Sequence, residues 1–285
     1  MWERDLAVAG AVAAALMLTT GGVRASDDAK YPNWRGQWNR IIVTGVRGQG
    51  AFDQTKPWGP GQQAPLTAEY QKVLEDSMAD QAKGGLGNYP TALCMPSGMP
   101  RMMTFYAQEY VVTPETTYIL LNGEDHYRRI YTDGRDWPAE IVPTYSGYSI
   151  GRWVDLDGDG RYDMLEVETR GFKGPRAYDA SGLPLHFDNQ SIFLEKFYLD
   201  KADPNLLHDE TTVIDHALTR PWTVDRRYRR HPDAQPVWPE NYCSEGNAQV
   251  AIGKENYFVS GDGYLMPAKK DQAPPDLRYF KQSRK

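Results

Sequence analysis

Between residues 104 and 230 the chain is written almost entirely in short extended segments separated by turn residues, and this pattern constrains the fold more than any other feature. Segments 104–112, 117–122, 126–132, 148–154, 164–169, 191–199, 206–215 and 221–230 are rich in β-branched and aromatic residues with a rough two-residue alternation. Their connections have recognisable turn chemistry. Thr113-Pro114-Glu115-Thr116 joins the first two, Asn122-Gly123 opens the next turn, and Asp203-Pro204-Asn205 joins a later pair. Sequential, hairpin-linked strands bury their apolar faces by closing on themselves or by stacking two sheets. The expected fold is therefore all-β with one helix: an antiparallel β-barrel, lipocalin-like, or a β-sandwich. The helix is expected near 68–83. Thr67 can cap it, Glu69 suits its first turn, Tyr70, Val73, Leu74 and Met78 recur at helical spacing, and Lys83-Gly84-Gly85 ends it.

The ends are organised differently. Leu6 to Leu18 is a nearly unbroken Ala/Val/Leu run, too short to span a membrane, and Val23-Arg24-Ala25 offers small residues where a signal peptidase reads. Residues 1–25 are read as a signal peptide despite an n-region, Met1 to Asp5, that is not clearly positive. The expected location is periplasmic or secreted, with no membrane association after cleavage. Residues 26–64, rich in Gly, Pro, Gln and Trp, are read as an extended arm packing through Trp34, Trp38 and Trp58, and 65–285 as a single β-rich domain. The formal net charge of −6 argues against non-specific nucleic-acid binding. The basic run Arg226-Arg227-Tyr228-Arg229-Arg230 is local and reads as a solvated strand end. Cys94 and Cys243, the only two cysteines, would pair in an oxidising compartment. A loop that long could contribute ~4–5 kcal/mol in the chain-entropy account.

One loop carries explicit chemistry. Asp155, Asp157, Asp159, Asp163 and Glu166 stand at positions 1, 3, 5, 9 and 12 of a twelve-residue calcium loop, with Gly160 at position 6 and the Arg161 carbonyl at position 7. The flanks, Tyr148 to Val154 and Met164 to Thr169, look extended rather than helical, so the loop is expected at a β-hairpin tip holding a structural Ca²⁺. The common catalytic signatures are missing: there is no nucleophile-elbow Gly-x-Ser-x-Gly, no His-Glu-x-x-His and no P-loop, and a redox cofactor has no visible seat.

The remaining catalytic candidates are loosely grouped. His186 and Asp188 lie two apart in a loop, where the imidazole could serve as a general acid or base with the carboxylate fixing its tautomer. Glu195 and the arginines Arg128 and Arg129 could sit on neighbouring strands and bind an anion. His208 and His216 share a parity with Glu210, but as a metal site they are the weaker reading. The 18 tyrosines and 8 tryptophans could line a pocket for a ring-bearing or sugar ligand, or simply fill a β core. Two readings follow: a calcium-stabilised barrel binding a small ring-containing or apolar ligand, or a cofactor-independent hydrolase, lyase or isomerase built on His186, Asp188, Arg129 and Glu195. Whether the chain is an enzyme, and its oligomeric state, stay open at this level.

Several phrases taken together carry a resemblance. They are Cys94 to Arg101 (CMPSGMPR), Arg128 to Arg135 (RRIYTDGR), Ser149 to Trp153, Gly171-Phe172, Leu218 to Thr223 (LTRPWT) and Cys243 to Asn247. Through them the chain resembles a group of exported proteins of proteobacteria and acidobacteria, from about the helix to the Cys243 segment. The resemblance implies export and a single all-β body, and it implies no catalytic residues. Many members carry a short Glu-Gly-Asp-Thr hairpin in place of the calcium loop, which would make the cation a local elaboration.

Overall fold

The computed structural model describes residues 28–41, 64–83, 87–88, 95–105, 107–122, 127–174, 177–178, 182–238, 249–252, 255–259, 264–267 and 271–273. The apolar run 6–18, Trp58, Cys94 and Cys243 lie outside the described residues. Among those described, no helix is long and apolar enough to cross a membrane.

Nine strands close into a barrel in sequence order: β1 (Gln37–Arg40), β2 (Gln108–Val112), β3 (Thr116–Leu121), β4 (Tyr127–Tyr131), β5 (Tyr148–Val154), β6 (Met164–Arg170), β7 (Ile192–Leu199), β8 (Leu206–Ile214) and β9 (Trp222–Arg230). Closure selects the barrel over the sandwich. It removes the unpaired strand edges that an open sheet would leave. The segments read from sequence recur almost at their expected bounds. The expected helix is α1 (Ala68–Ala82), with the Thr67 hydroxyl accepting the Tyr70 N–H.

Three expectations are corrected. The barrel is mixed, not purely antiparallel, because β4 and β5 run parallel with Ile130 opposite Ser149. After Tyr131 the chain does not reverse at a tight turn. It returns over the outside of the barrel, where Trp137 lies beside Ile150 and Arg152, before β5 begins. The segment 104–112 does not start as a strand. A one-turn helix, α2 (Met102–Phe105), occupies its first residues, and Met99, Met102 and Met103 are fully buried there. Finally, the arm does more than pack over the body. Its residues 37–40 form β1, which bonds β2 on one side and β9 on the other and so closes the barrel. Trp34 and Trp38 are both buried.

A three-stranded meander, β10 (Gln249–Ile252), β11 (Glu255–Val259) and β12 (Leu265–Pro267), follows, and among the described residues none of its strands pairs with the barrel.

The two ends of the barrel are closed by different material. At one end lie α2, the start of α1 and the loops before β7 and after β8. Thr67 N–H donates to Ala217 O, Thr219 N–H donates to Pro65 O, and the Arg226 guanidinium donates to Pro100 O at 3.3 Å. At the other end Trp34 packs against Tyr110, Trp153 and Phe197 with ring centroids 4.9–6.2 Å apart. Tyr31 and Tyr162 extend that aromatic stack toward the β5–β6 hairpin tip.

Candidate functional site

The period-2 alternation of the strands decides which side chains enter the barrel. On β7 it sends Phe193, Glu195 and Phe197 inward, on β8 Leu207, Asp209, Thr211 and Val213, and on β9 Trp222, Val224, Arg226 and Tyr228. The interior is consequently not purely apolar. Arg128 lays both terminal nitrogens on the two oxygens of Glu195, one of them at 2.9 Å, and also donates to Thr169 Oγ1 at 2.7 Å and Ser149 Oγ at 3.3 Å. Arg226 lies 3.4 Å from Glu195, 2.9 Å from Asp209 and donates to Thr211 Oγ1. All four ionisable groups are essentially inaccessible to water. The basic run 226–230 is thus only partly a solvated strand end: Arg226 and Tyr228 are core residues, while Arg227 and Arg229 pair outside with Asp225 and Asp203.

Burial is the largest influence on Asp209 and pushes its carboxyl up to about 7. Arg226 opposes the shift and Glu195 reinforces it. One Asp209 oxygen faces the Arg226 guanidinium without the alignment of a hydrogen bond, which is why the ion pair compensates burial incompletely. Burial likewise raises Tyr228 to about 12, and its hydroxyl donates to Met103 O.

The four catalytic candidates do not converge. Glu195 belongs to the interior cluster. Arg129, one residue after Arg128, faces the other way. Its guanidinium lies exposed among the rings of Tyr118, Tyr127 and Tyr131, 5.6–6.0 Å from their centroids. His186 and Asp188 sit together in the loop before β7, with Nδ1 3.1 Å from Oδ2. Their third companion is His216, whose Nδ1 is 2.5 Å from the same Asp188 oxygen. Burial would raise Asp188, but the Gln190 N–H and the two imidazoles outweigh it and hold the carboxyl below its ordinary range. His208 does not join His216. It stacks on Tyr198 with ring centroids 4.8 Å apart and pairs with Asp225 at 3.0 Å. Sequence reasoning missed Asp209 and Arg226. The available signal was parity, because each charge stands at the inward position of a strand whose other inward residues are mostly apolar, Thr211 excepted.

The acidic loop joins β5 to β6 as a hairpin, with Asp163 N–H donating to Val154 O at 2.9 Å. Gly158 and Gly160 take the left-handed conformation, with φ of +77° and +85°, that side chains disfavour. Their N–H groups turn inward onto the two oxygens of Asp155 at 2.7 and 2.9 Å. These bonds, that of Gly160 foremost, hold the Asp155 carboxyl below its ordinary range. Asp155, Asp157 and Asp159 each bring an oxygen within 4.8 Å of the others. Asp163 accepts the Leu156 N–H at 2.7 Å, and Glu166, on β6, pairs with Arg152 at 2.7 Å.

A groove of about 490 Å³ runs across the outer face of β5–β8. Trp137 walls it, Ile150 and Leu194 contribute apolar surface, and Arg152, Glu168, Lys196 and Glu210 supply charge. The Trp137 ring is itself held by the Arg170 guanidinium, 4.8 Å above it, and by Tyr148.

No protein-family model matches the chain, and no match to a curated protein was found. The geometry above therefore carries the functional argument.

Asp209 generates a testable pH dependence. Its folded-state pKa is raised, so its contribution to stability is fully present below the unfolded value and is lost as pH rises through the folded one. Urea unfolding should show a stability decline between pH ~4 and ~7 that Asp209→Asn flattens. An identical pH profile in the variant would show that Asp209 is ionised throughout.

Proposed function

We propose that the protein is an exported, calcium-stabilised barrel that binds a small amphipathic ring, such as a saccharide, in the groove on its outer face. The groove under Trp137 is the observation that carries this reading. The barrel interior is filled by aromatic side chains and the Arg128–Glu195–Arg226–Asp209 cluster, whereas the groove combines concavity, an indole wall and several polar groups. A sugar ring offers an apolar face to an indole and hydroxyls to carboxylates, ammonium and guanidinium, which is the mixture this groove presents. The resemblance to exported proteins supports the compartment but supplies no ligand.

Titration with a panel of neutral sugars and small aromatic compounds, read by tryptophan fluorescence, is expected to find a binder. Trp137→Ala should weaken that binder at least tenfold, about 1.4 kcal/mol, with little change in melting temperature. Unchanged affinity in the variant, or no binding by any panel member, would remove the groove as the site.

Calcium belongs to the same reading. Asp155, Asp157, Asp159, Asp163, Glu166 and the Arg161 carbonyl are its proposed ligands. The three converging aspartates and the two left-handed glycines support the loop, while Asp163 and Glu166 now bond the Leu156 N–H and Arg152 and would have to leave them to join. With a dissociation constant on the order of 10⁻⁴–10⁻³ M, 10 mM Ca²⁺ should stabilise the fold by ~1.4–2.7 kcal/mol, or several degrees in Tm. Mg²⁺ should do less, since it sheds its water reluctantly. Asp157→Ala should lose the shift while keeping the fold. Equal shifts in variant and parent would reject the loop as the site.

Export adds two covalent consequences, cleavage before Ser26 and a Cys94–Cys243 bridge. A non-reduced peptide map of the mature protein is expected to begin near Ser26 and to contain both cysteines in one linked peptide. An intact Met1 with two free thiols would contradict both.

A further inference from the structure

We propose that His186, Asp188 and His216 bind a divalent transition metal of the zinc class, at the barrel end where α1 begins. The donor atoms already converge: one ring nitrogen from each histidine and one Asp188 oxygen all lie within 4.8 Å of one another, and both Nδ1 atoms lie beside Asp188 Oδ2. Ligand atoms around a tetrahedral zinc stand about 3.3 Å apart, given bonds of ~2.0–2.1 Å. The two nitrogen–oxygen separations here are 3.1 and 2.5 Å, each within an ångström of that spacing.

The hydrogen bonding of the cluster calls for a positive centre. His186 Nδ1 lies 3.2 Å from the Asp188 N and 3.1 Å from Asp188 Oδ2, so a positive group, a ring proton or a cation, has to join that nitrogen to the carboxylate oxygen. A cation at that point would bind both, and the displaced Asp188 N–H lies at a half-exposed turn where water can receive it. The other Asp188 oxygen is already used, accepting the Gln190 N–H at 3.0 Å, so the carboxylate presents Oδ2 alone to the histidines.

The scaffold behind the donors is built from one buried carboxylate. Asp215 Oδ1 accepts the N–H of His186 at 2.9 Å and of Ala217 at 2.8 Å, while its other oxygen accepts the Ser191 hydroxyl. The two histidine-bearing segments, one leading into β7 and one leaving β8, meet at the open end of that hairpin, and Asp215 ties them together. Tyr70 of α1 packs against the His186 ring at 5.3 Å, and the two imidazoles meet edge to face. Such outer contacts fix the orientation of metal-binding histidines. The His216 side chain is 69% exposed, which leaves a path for the ion. Three protein ligands leave a fourth position for water or substrate. Two imidazoles and one carboxylate suit zinc and its neighbours, whereas Ca²⁺ prefers oxygen alone, so this site and the acidic loop would select different ions.

Zinc titration of the tag-free, chelator-stripped mature chain, by calorimetry and by competition with a chromogenic indicator, tests this directly. The expected result is one equivalent bound in the micromolar range or tighter, undiminished by millimolar Ca²⁺. His216→Ala and Asp188→Asn should each weaken binding by at least about tenfold, while His231→Ala and Asp157→Ala should leave it unchanged. Since His216 is exposed, its variant is expected to melt like the parent. The absence of stoichiometric zinc binding in the parent would overturn the proposal, as would full affinity in a His186→Ala, His216→Ala double variant.

Discussion

The barrel depends on the buried contact of Arg128 with Glu195. Two full charges in a water-free interior would be strongly unfavourable alone, and a bidentate pair is the geometry that best offsets their desolvation. This pair recruits the rest of the polar interior. Ser149 and Thr169 fill the remaining donors of Arg128, and Arg226 bridges Glu195 to Asp209 and Thr211. The cluster therefore draws side chains from β4 through β9. A slip of one residue on any of these strands would turn a charge or a bonded hydroxyl outward and an outer residue in, so the cluster specifies register more sharply than an all-apolar core could. Removing one member should be far more damaging than replacing the group with apolar residues of matching shape.

The interior being so committed, functional chemistry is displaced to the periphery. The acidic loop sits at one end, anchored by Tyr162 N–H on Lys30 O and by the aromatic stack of Tyr31, Trp153 and Tyr162. The His186–Asp188–His216 cluster sits at the other, braced by α1 and Asp215. The groove under Trp137 lies on the wall between them. Each is carried by a loop or an outer face resting on a rigid sheet, an arrangement in which side chains can vary without disturbing the core.

Much of the fold was legible in the sequence, for a definite reason. β3 to β9 alternate strongly enough for period to identify them, and α1 has both cap and stripe. β1 was not legible, because four residues, Gln-Trp-Asn-Arg, carry almost no periodic signal and pair only with strands distant in sequence. The parallel β4–β5 contact escaped because adjacent strands were expected to pair through hairpins, and Trp137 to Tyr145 has no turn signature that reveals a return path. Of the candidate site residues, His186 and Asp188 are together as the spacing suggested. His216, two strands later in the chain, could be added only by folding. Arg129 and Glu195 fell apart for a simple reason: alternation puts Arg128, not Arg129, on the side of the sheet that Glu195 faces.

The pairing of β1 with β9 has a consequence for how the molecule comes into being. Trp38 and Arg230 stand opposite each other in the finished barrel, and the Arg230 guanidinium covers the Trp38 ring at 4.2 Å. The first barrel strand in the sequence must wait for the ninth before the barrel can close. Until then both edges of the growing sheet are open, and loop-closure entropy makes this last pairing slow. β1 is then an early segment that can pair with β2 on one side while its other edge stays open until β9 forms.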